Sequence, residues 1–318
     1  SEGARGRQLP FFLVMNSYIA DSLSQPWPIL KSYDQDHLFN IALPLGGIGT
    51  GTVSLGGRGE LRDWEIMNKP GKKYSTVTTG NDAPFFSIFV NRTSTSTKMT
   101  RALIGPVHPT EILHYEGRPC NNHGLPRFQQ ASFDAAYPFG TVNLSDSNMP
   151  VKVAVKGFNP FIPADPNVSG IPIAVLYYEV TNTTNEVLDV SVCGTLRNFV
   201  GQDGSKFTTS WGGDYVPIGA NKNINLYRED LDGQLKGIYM KSDNVDPQDP
   251  AWGTIALTTL VNSPNANVTY RLSSIPNDWN HAILDFWDDV TIFFENLLIL
   301  DIYYSSSVLM VHCMTVEN

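Results

Sequence analysis

Asp63 and Glu65 flank Trp64 in Leu61-Arg-Asp-Trp-Glu65, and two carboxylates beside an aromatic ring are the parts needed for general acid/base work next to a sugar-stacking platform. Strand spacing speaks against it, because residues two apart share one face and Trp64 would point to the other. No catalytic role is assigned to either carboxylate. Cys120-Asn-Asn-His123 could supply two metal ligands, but a closed zinc site needs four and no second pair stands nearby; His108 and His114 are isolated. Gly47-Ile-Gly49 begins a dinucleotide fingerprint whose third glycine would fall at Thr52, and the register from Gly49 would place it at Ser54. A P-loop fails too, since Gly51 is followed by Thr52 and Gly56 by Gly57-Arg58. Ser54 lies three residues after Gly51, which is not the spacing of a nucleophile elbow. No metal and no cofactor are expected, and Asp285, Asp288 and Asp289 are expected on a solvated helix face.

What must position these residues is the stretch from Leu43 to Glu65, with seven glycines at 46, 47, 49, 51, 56, 57 and 59. Glycine at this density would cost a helix about 1 kcal/mol per residue, so a hairpin of short strands is expected, threaded where another backbone approaches closely. Arg58, Glu60, Arg62, Asp63 and Trp64 follow as a dense mixture of both charges with an aromatic, the composition of an interface anchor or one wall of a substrate cleft. Phe85 to Val90, Ile112 to His114, Thr141 to Leu144 and Val151 to Val155 are strand candidates, and in the last Val151, Val153 and Val155 alternate with Lys152 and Ala154. Ile171–Val180 and Leu188–Val192, joined by the polar Thr181–Glu186, are expected to pair as an antiparallel hairpin. Further strands are expected at 236–240, 254–260 and 267–272. The spacing of Ile283, Phe286, Trp287, Val290, Phe293, Phe294 and Leu297 predicts one amphipathic helix between Asn280 and Leu300. The fold class is therefore mainly β, a large antiparallel β-sandwich with a helix near the C-terminal end.

Leu43-Pro-Leu-Gly-Gly-Ile-Gly-Thr-Gly51 followed by Arg58-Gly-Glu-Leu-Arg-Asp-Trp64 resembles the opening signature of the N-terminal domain of glycoside hydrolase family 116, which includes the non-lysosomal glucosylceramidases, or bile-acid β-glucosidases. Phe158-Asn-Pro-Phe-Ile-Pro-Ala-Asp-Pro-Asn-Val-Ser-Gly-Ile-Pro172 resembles its second signature, and Val180–Asn185 with Leu196–Gly201 resembles the strands that follow. The resemblance runs from about Trp27 to Asp289. It implies a supersandwich-like domain of a retaining β-glycosidase acting on a β-linked glycoside. It also implies that the glutamate nucleophile and aspartate acid/base lie in a C-terminal (α/α)₆ toroid, expected outside these 318 residues. No catalytic residue is carried over. This chain alone is expected to be inactive, and its expected partner is that toroid, docking on the hairpin through Arg58, Glu60, Arg62, Asp63 and Trp64.

The organisation expected is a lead-in at 1–24, the domain at 25–289, and a divergent or truncated end at 290–318 that leaves a sheet edge uncovered. Residues 290–310 are apolar enough to suggest a membrane span, but Glu295 and Asp301 would each cost roughly 2.5–3.5 kcal/mol near a bilayer centre, so no transmembrane segment is expected. Arg5 and Arg7 before Leu9–Met15 faintly resemble a signal peptide, with bulky Tyr18 where a small residue is wanted. Charged residues are 17% of the chain and the net charge is -9, which excludes the basic face a nucleic-acid partner requires. Three cysteines, Cys120, Cys193 and Cys313, are too few and scattered for a disulfide framework, so the compartment stays open. Two other functions fit the composition: a stand-alone carbohydrate-binding or protein-interaction module, and an inert truncated product.

Overall fold

The computed structural model describes residues 27–66, 84–109, 124–201, 222–249, 251–261, 266–273, 281–292 and 306–316, with the backbone alone at 281–283, 289, 292 and 306–316. The lead-in, the Ile112–His114 strand candidate, His114, Cys120, His123, Phe293, Phe294, Glu295, Leu297 and Asp301 lie outside the described residues.

Sixteen strands among the described residues form four antiparallel sheets. Sheet I has the order β1 (Lys31–Tyr33), β7 (Gln130–Ala136), β8 (Phe139–Ser145), β9 (Val151–Phe158), β10 (Leu176–Asn182). Sheet II runs β15 (Asn267–Arg271), β16 (Ser306–Val316), β11 (Leu188–Arg197), β5 (Phe85–Arg92), β6 (Thr97–Ala102). Sheet III is β12 (Asn223–Glu229), β13 (Leu235–Ser242), β14 (Ile255–Leu260), and sheet IV is β2 (Ala42–Leu45), β3 (Thr52–Gly56), β4 (Leu61–Glu65). Among the described residues the α-helices are the single-turn α1 (Pro166–Ser169) and α2 (His281–Ile292), with one 3₁₀ turn at Gln35–His37.

The chain is mainly β, as expected. Sheets I and II pack face to face. Period-2 alternation explains it: Phe133 of β7, Val142 and Leu144 of β8 and Val151, Val153 and Val155 of β9 are buried against Ile88 and Val90 of β5 and Leu188 and Val190 of β11. Sheet IV contributes Leu43, Leu45, Val53 and Leu55 to the same core. Sheet II is covered on its second face as well. Phe85, Phe89 and Cys193 meet Phe286 and Val290 of α2, with Phe85 edge-on to Phe286 at 5.7 Å. That is why Phe85–Val90 is apolar on both faces, interrupted only by the buried Ser87, and does not alternate. Burying a side chain such as Phe286 stabilises by about 2–3 kcal/mol. A third cluster, with Ile238 and Met240 of β13 and Leu196 and Phe199, joins sheet III to the rest.

One pairing expectation fails here. β10 and β11 do not pair with each other: β10 pairs with β9 and β11 with β5 and β16, so Thr183–Val187 crosses between sheets. Their apolar faces were legible, but these meet across the sandwich instead of lying side by side in one sheet. The end of the chain supplies a strand, and β15 and β6 are the edge strands of sheet II. β16 lies between β11 and β15 and pairs with β11 from Arg197↔Ser306 to Leu188↔Val316. Its Val-Leu-Met-Val run is a strand-forming sequence in the middle of a sheet. Asp285 of α2 is not merely solvated, because it pairs with Arg271 of β15, while Asp288 is exposed.

Candidate functional site

The glycine segment forms the expected hairpin, β2 with β3, extended by β4. Pro44 is tolerated because β2 is an edge strand, where a missing N–H costs no ladder bond. The tip, residues 46–51, needs glycine for two separate reasons. Gly46, Gly49 and Gly51 have φ of 81°, 79° and 93°, a region that side chains disfavour. Gly47 is a close approach: a Cβ there would lie 2.4 Å from the Ile171 carbonyl oxygen and 2.7 Å from the Ile171 nitrogen.

The segment that comes so close is the second motif. Asp165 caps α1 by accepting from the N–H groups of Asn167 (3.0 Å) and Val168 (3.1 Å), Pro166 opens the turn and Gly170 ends it. Ser169 then ties the pieces together. Its hydroxyl donates to the Ile162 carbonyl and accepts from the Ile162 N–H, both at 2.9 Å, and its carbonyl accepts from the Ile48 N–H at 2.7 Å. Asn159 Nδ2 donates to the Gly46 carbonyl at 2.9 Å. Two motifs more than a hundred residues apart in sequence thus make one docked unit.

Arg58 and Glu60 sit at the turn between β3 and β4, away from the tip, while Arg62, Asp63 and Trp64 run back along β3 toward it, and all five are largely occupied within the chain. Arg58 is buried, Nη2 donating to Glu60 Oε1 at 3.0 Å and Nη1 to the Pro106 carbonyl at 3.2 Å. Glu60 also accepts from the Arg58 N–H. Arg62 Nη1 donates to the Phe39 carbonyl at 2.5 Å, its guanidinium lies over the Phe39 ring, and Phe39 stacks on His108 at 4.6 Å. Trp64 packs on both the main core and the third cluster, edge-on to Phe199 at 6.0 Å.

Strict alternation does not hold in β4. Thr52 pairs with Glu65 and Ser54 with Arg62, so Val53 faces two residues, Asp63 and Trp64, in a bulge where Asp63 has φ 51°. Asp63 therefore comes round to its sequence neighbour, Oδ2 3.5 Å from Arg62 Nε. Of the two carboxylates that flank Trp64, Asp63 is engaged by Arg62, while Glu65 is half-buried on β4 opposite Thr52. Ser54 is buried in β3. Among the described residues, no three His, Cys, Asp or Glu side chains are grouped as a metal site, and no helix is long and apolar enough to cross a membrane.

The sequence motifs did not reveal an exposed apolar cluster around the hairpin tip. Ile48 at the tip is 54% exposed, Phe161 and Ile162 on the second motif 42% and 49%, and Tyr137 between β7 and β8 59%, with the Tyr137 and Phe161 rings 6.5 Å apart. The tightness of the hydrogen-bonded unit beneath makes this a fixed surface. Only the density of Phe, Ile and Pro after Phe158 hinted at it.

A model of the N-terminal domain of glycosyl-hydrolase family 116, described as beta-glucosidase 2, matches residues 42–291. The match includes the hairpin and the second motif.

Proposed function

Since the chain belongs to glycosyl-hydrolase family 116 and carries its N-terminal domain, we propose that it is a non-catalytic support on which a C-terminal catalytic toroid of a β-glucosidase-like enzyme docks. The contact surface is the glycine hairpin, its exposed tip residue Ile48 joined by Phe161, Ile162 and Tyr137. Arg58, Glu60, Arg62, Asp63 and Trp64 form the braced extension of that surface and hold its geometry from behind. The substrate, a β-linked glycoside, is hydrolysed by carboxylates of the toroid and not of this chain.

The observation that carries this is the exposed apolar cluster set on a rigid double motif. Exposed aromatic and aliphatic side chains clustered on an ordered surface mark an interface, and the family supplies the partner. The test is isothermal titration of this chain against a separately produced family 116 toroid. Saturable association is expected, weakened at least tenfold by Ile48→Asp or Phe161→Asp without loss of thermal stability. Association unchanged by both substitutions would remove the hairpin surface from the proposal.

A further inference from the structure

We propose that the outer face of sheet I is a binding site for a neutral oligosaccharide, held in a furrow that crosses β7, β8, β9 and β10. This is separate from the hairpin surface and does not depend on the toroid docking there.

The furrow follows from strand register. Ser132 pairs with Asn143, Asn143 with Ala154, and Ala154 with Glu179, which places one short or neutral side chain on each of the three strands β7 to β9. On the neighbouring row the longer chains of Gln130 and Lys152 stand up as a wall, and Glu179 closes the β10 side. A depression of about 420 Å³ results. That is within the range of small-molecule sites, and about half of its lining is polar where such sites are mostly apolar.

The chemistry of the lining selects the ligand. Apart from aliphatic flooring it presents hydroxyls and amides, Ser132, Ser145, Thr181, Asn143 and Gln130, which both donate and accept. Its two charged members, Lys152 and Glu179, are of opposite sign, and Glu179 is held by Lys156 at 2.9 Å. An ion gains nothing from such a surface, and an apolar molecule would desolvate it without compensation. A polyol satisfies it. The groups are also pre-oriented: Asn143 Nδ2 donates to Asp134 Oδ2 at 2.8 Å, which fixes the amide, and Ser145 donates to Gln130 at 3.2 Å.

Titration calorimetry of the chain with cellotetraose, maltotetraose and an acidic oligogalacturonide tests it. At least one neutral tetrasaccharide should bind saturably. Asn143→Ala should weaken that binding roughly three- to tenfold, the worth of one hydrogen bond. Ala154→Arg, which fills the furrow from its floor, should abolish it with an unchanged circular dichroism spectrum, while Asn143→Ala, which also removes the bond to Asp134, should lower the melting temperature only modestly. No saturable binding by either neutral sugar, binding of the acidic sugar alone, or binding indifferent to Ala154→Arg would each overturn the assignment.

Discussion

Gly47→Ala tests the docking of the two motifs with a single methyl group. That methyl would lie 2.4 Å from the Ile171 oxygen, 2.6 Å from the Gly170 carbonyl carbon and 2.7 Å from the Ile171 nitrogen, all backbone atoms that cannot swing aside. Relief requires the hairpin tip and residues 169–173 to separate. This would stretch the Ile48 N–H to Ser169 carbonyl bond of 2.7 Å and the Asn159 to Gly46 bond of 2.9 Å. Overpacking costs about 1–3 kcal/mol and each weakened hydrogen bond about 0.5–1.5 kcal/mol, so a loss near 3 kcal/mol is expected. Gly49→Ala is the control. Nothing lies within 4 Å of its would-be Cβ, and with φ 79° it should cost only the roughly 1 kcal/mol of left-handed strain. Urea denaturation of the chain, followed by tryptophan fluorescence, reads both. Equal losses for the two substitutions would refute the close docking of hairpin and second motif.

Trp64→Ala should destabilise the isolated chain by about 2–3 kcal/mol, less than a fully buried tryptophan, because Trp64 joins two clusters while only half-buried; a loss under about 0.5 kcal/mol in the same denaturation assay would contradict that packing. Arg101 Nε lies 2.8 Å from Asp146 Oδ2, whose side chain is 1% exposed. Arg101→Met should cost about 2 kcal/mol, below the roughly 3–5 kcal/mol of a fully buried pair since Arg101 is itself partly exposed, and an unchanged denaturation midpoint would count against the pair. At the single 3₁₀ turn Gln35–His37, the hydrogen bond between the Asp34 carboxylate and His37 Nδ1 raises the His37 pKa and lowers that of Asp34. Their mutual support is whole between about pH 3.9 and 6.5, fading as pH falls through the Asp34 value or rises through the His37 value. NMR titration should place the His37 midpoint above about 6.5 and Asp34→Asn should bring it back; coincident midpoints would dismiss the pair.

Sheet I was readable because each strand buries one face, so Val151, Val153 and Val155 declare themselves by alternation. The glycine hairpin was equally legible, since positive φ at Gly46, Gly49 and Gly51 and the close approach at Gly47 leave no other residue type. Partnership between strands was not. Leu176–Val180 and Leu188–Val192 carry the same pattern whether they pair side by side or face each other across a core, and only tertiary packing chooses. Arg58 and Trp64 looked like surface anchors by residue type, but their fate was decided by Glu60, Pro106 and Phe199, contacts that composition does not encode. The bulge at Asp63 likewise follows from pairing with β3 and overrides the two-residue period. The exposed tip and the furrow on sheet I are assembled by loop docking and strand register from residues far apart in sequence, Ile48 with Ile162 in the first and Gln130 with Thr181 in the second.

Hydrolysis of an aryl β-glucoside by the purified 318-residue chain bears most directly on its proposed role as a non-catalytic support. No turnover above the buffer rate is predicted for the chain alone, and Asp63→Asn or Glu65→Gln should leave that result unchanged. Turnover by the parent chain that disappears with either substitution would contradict it.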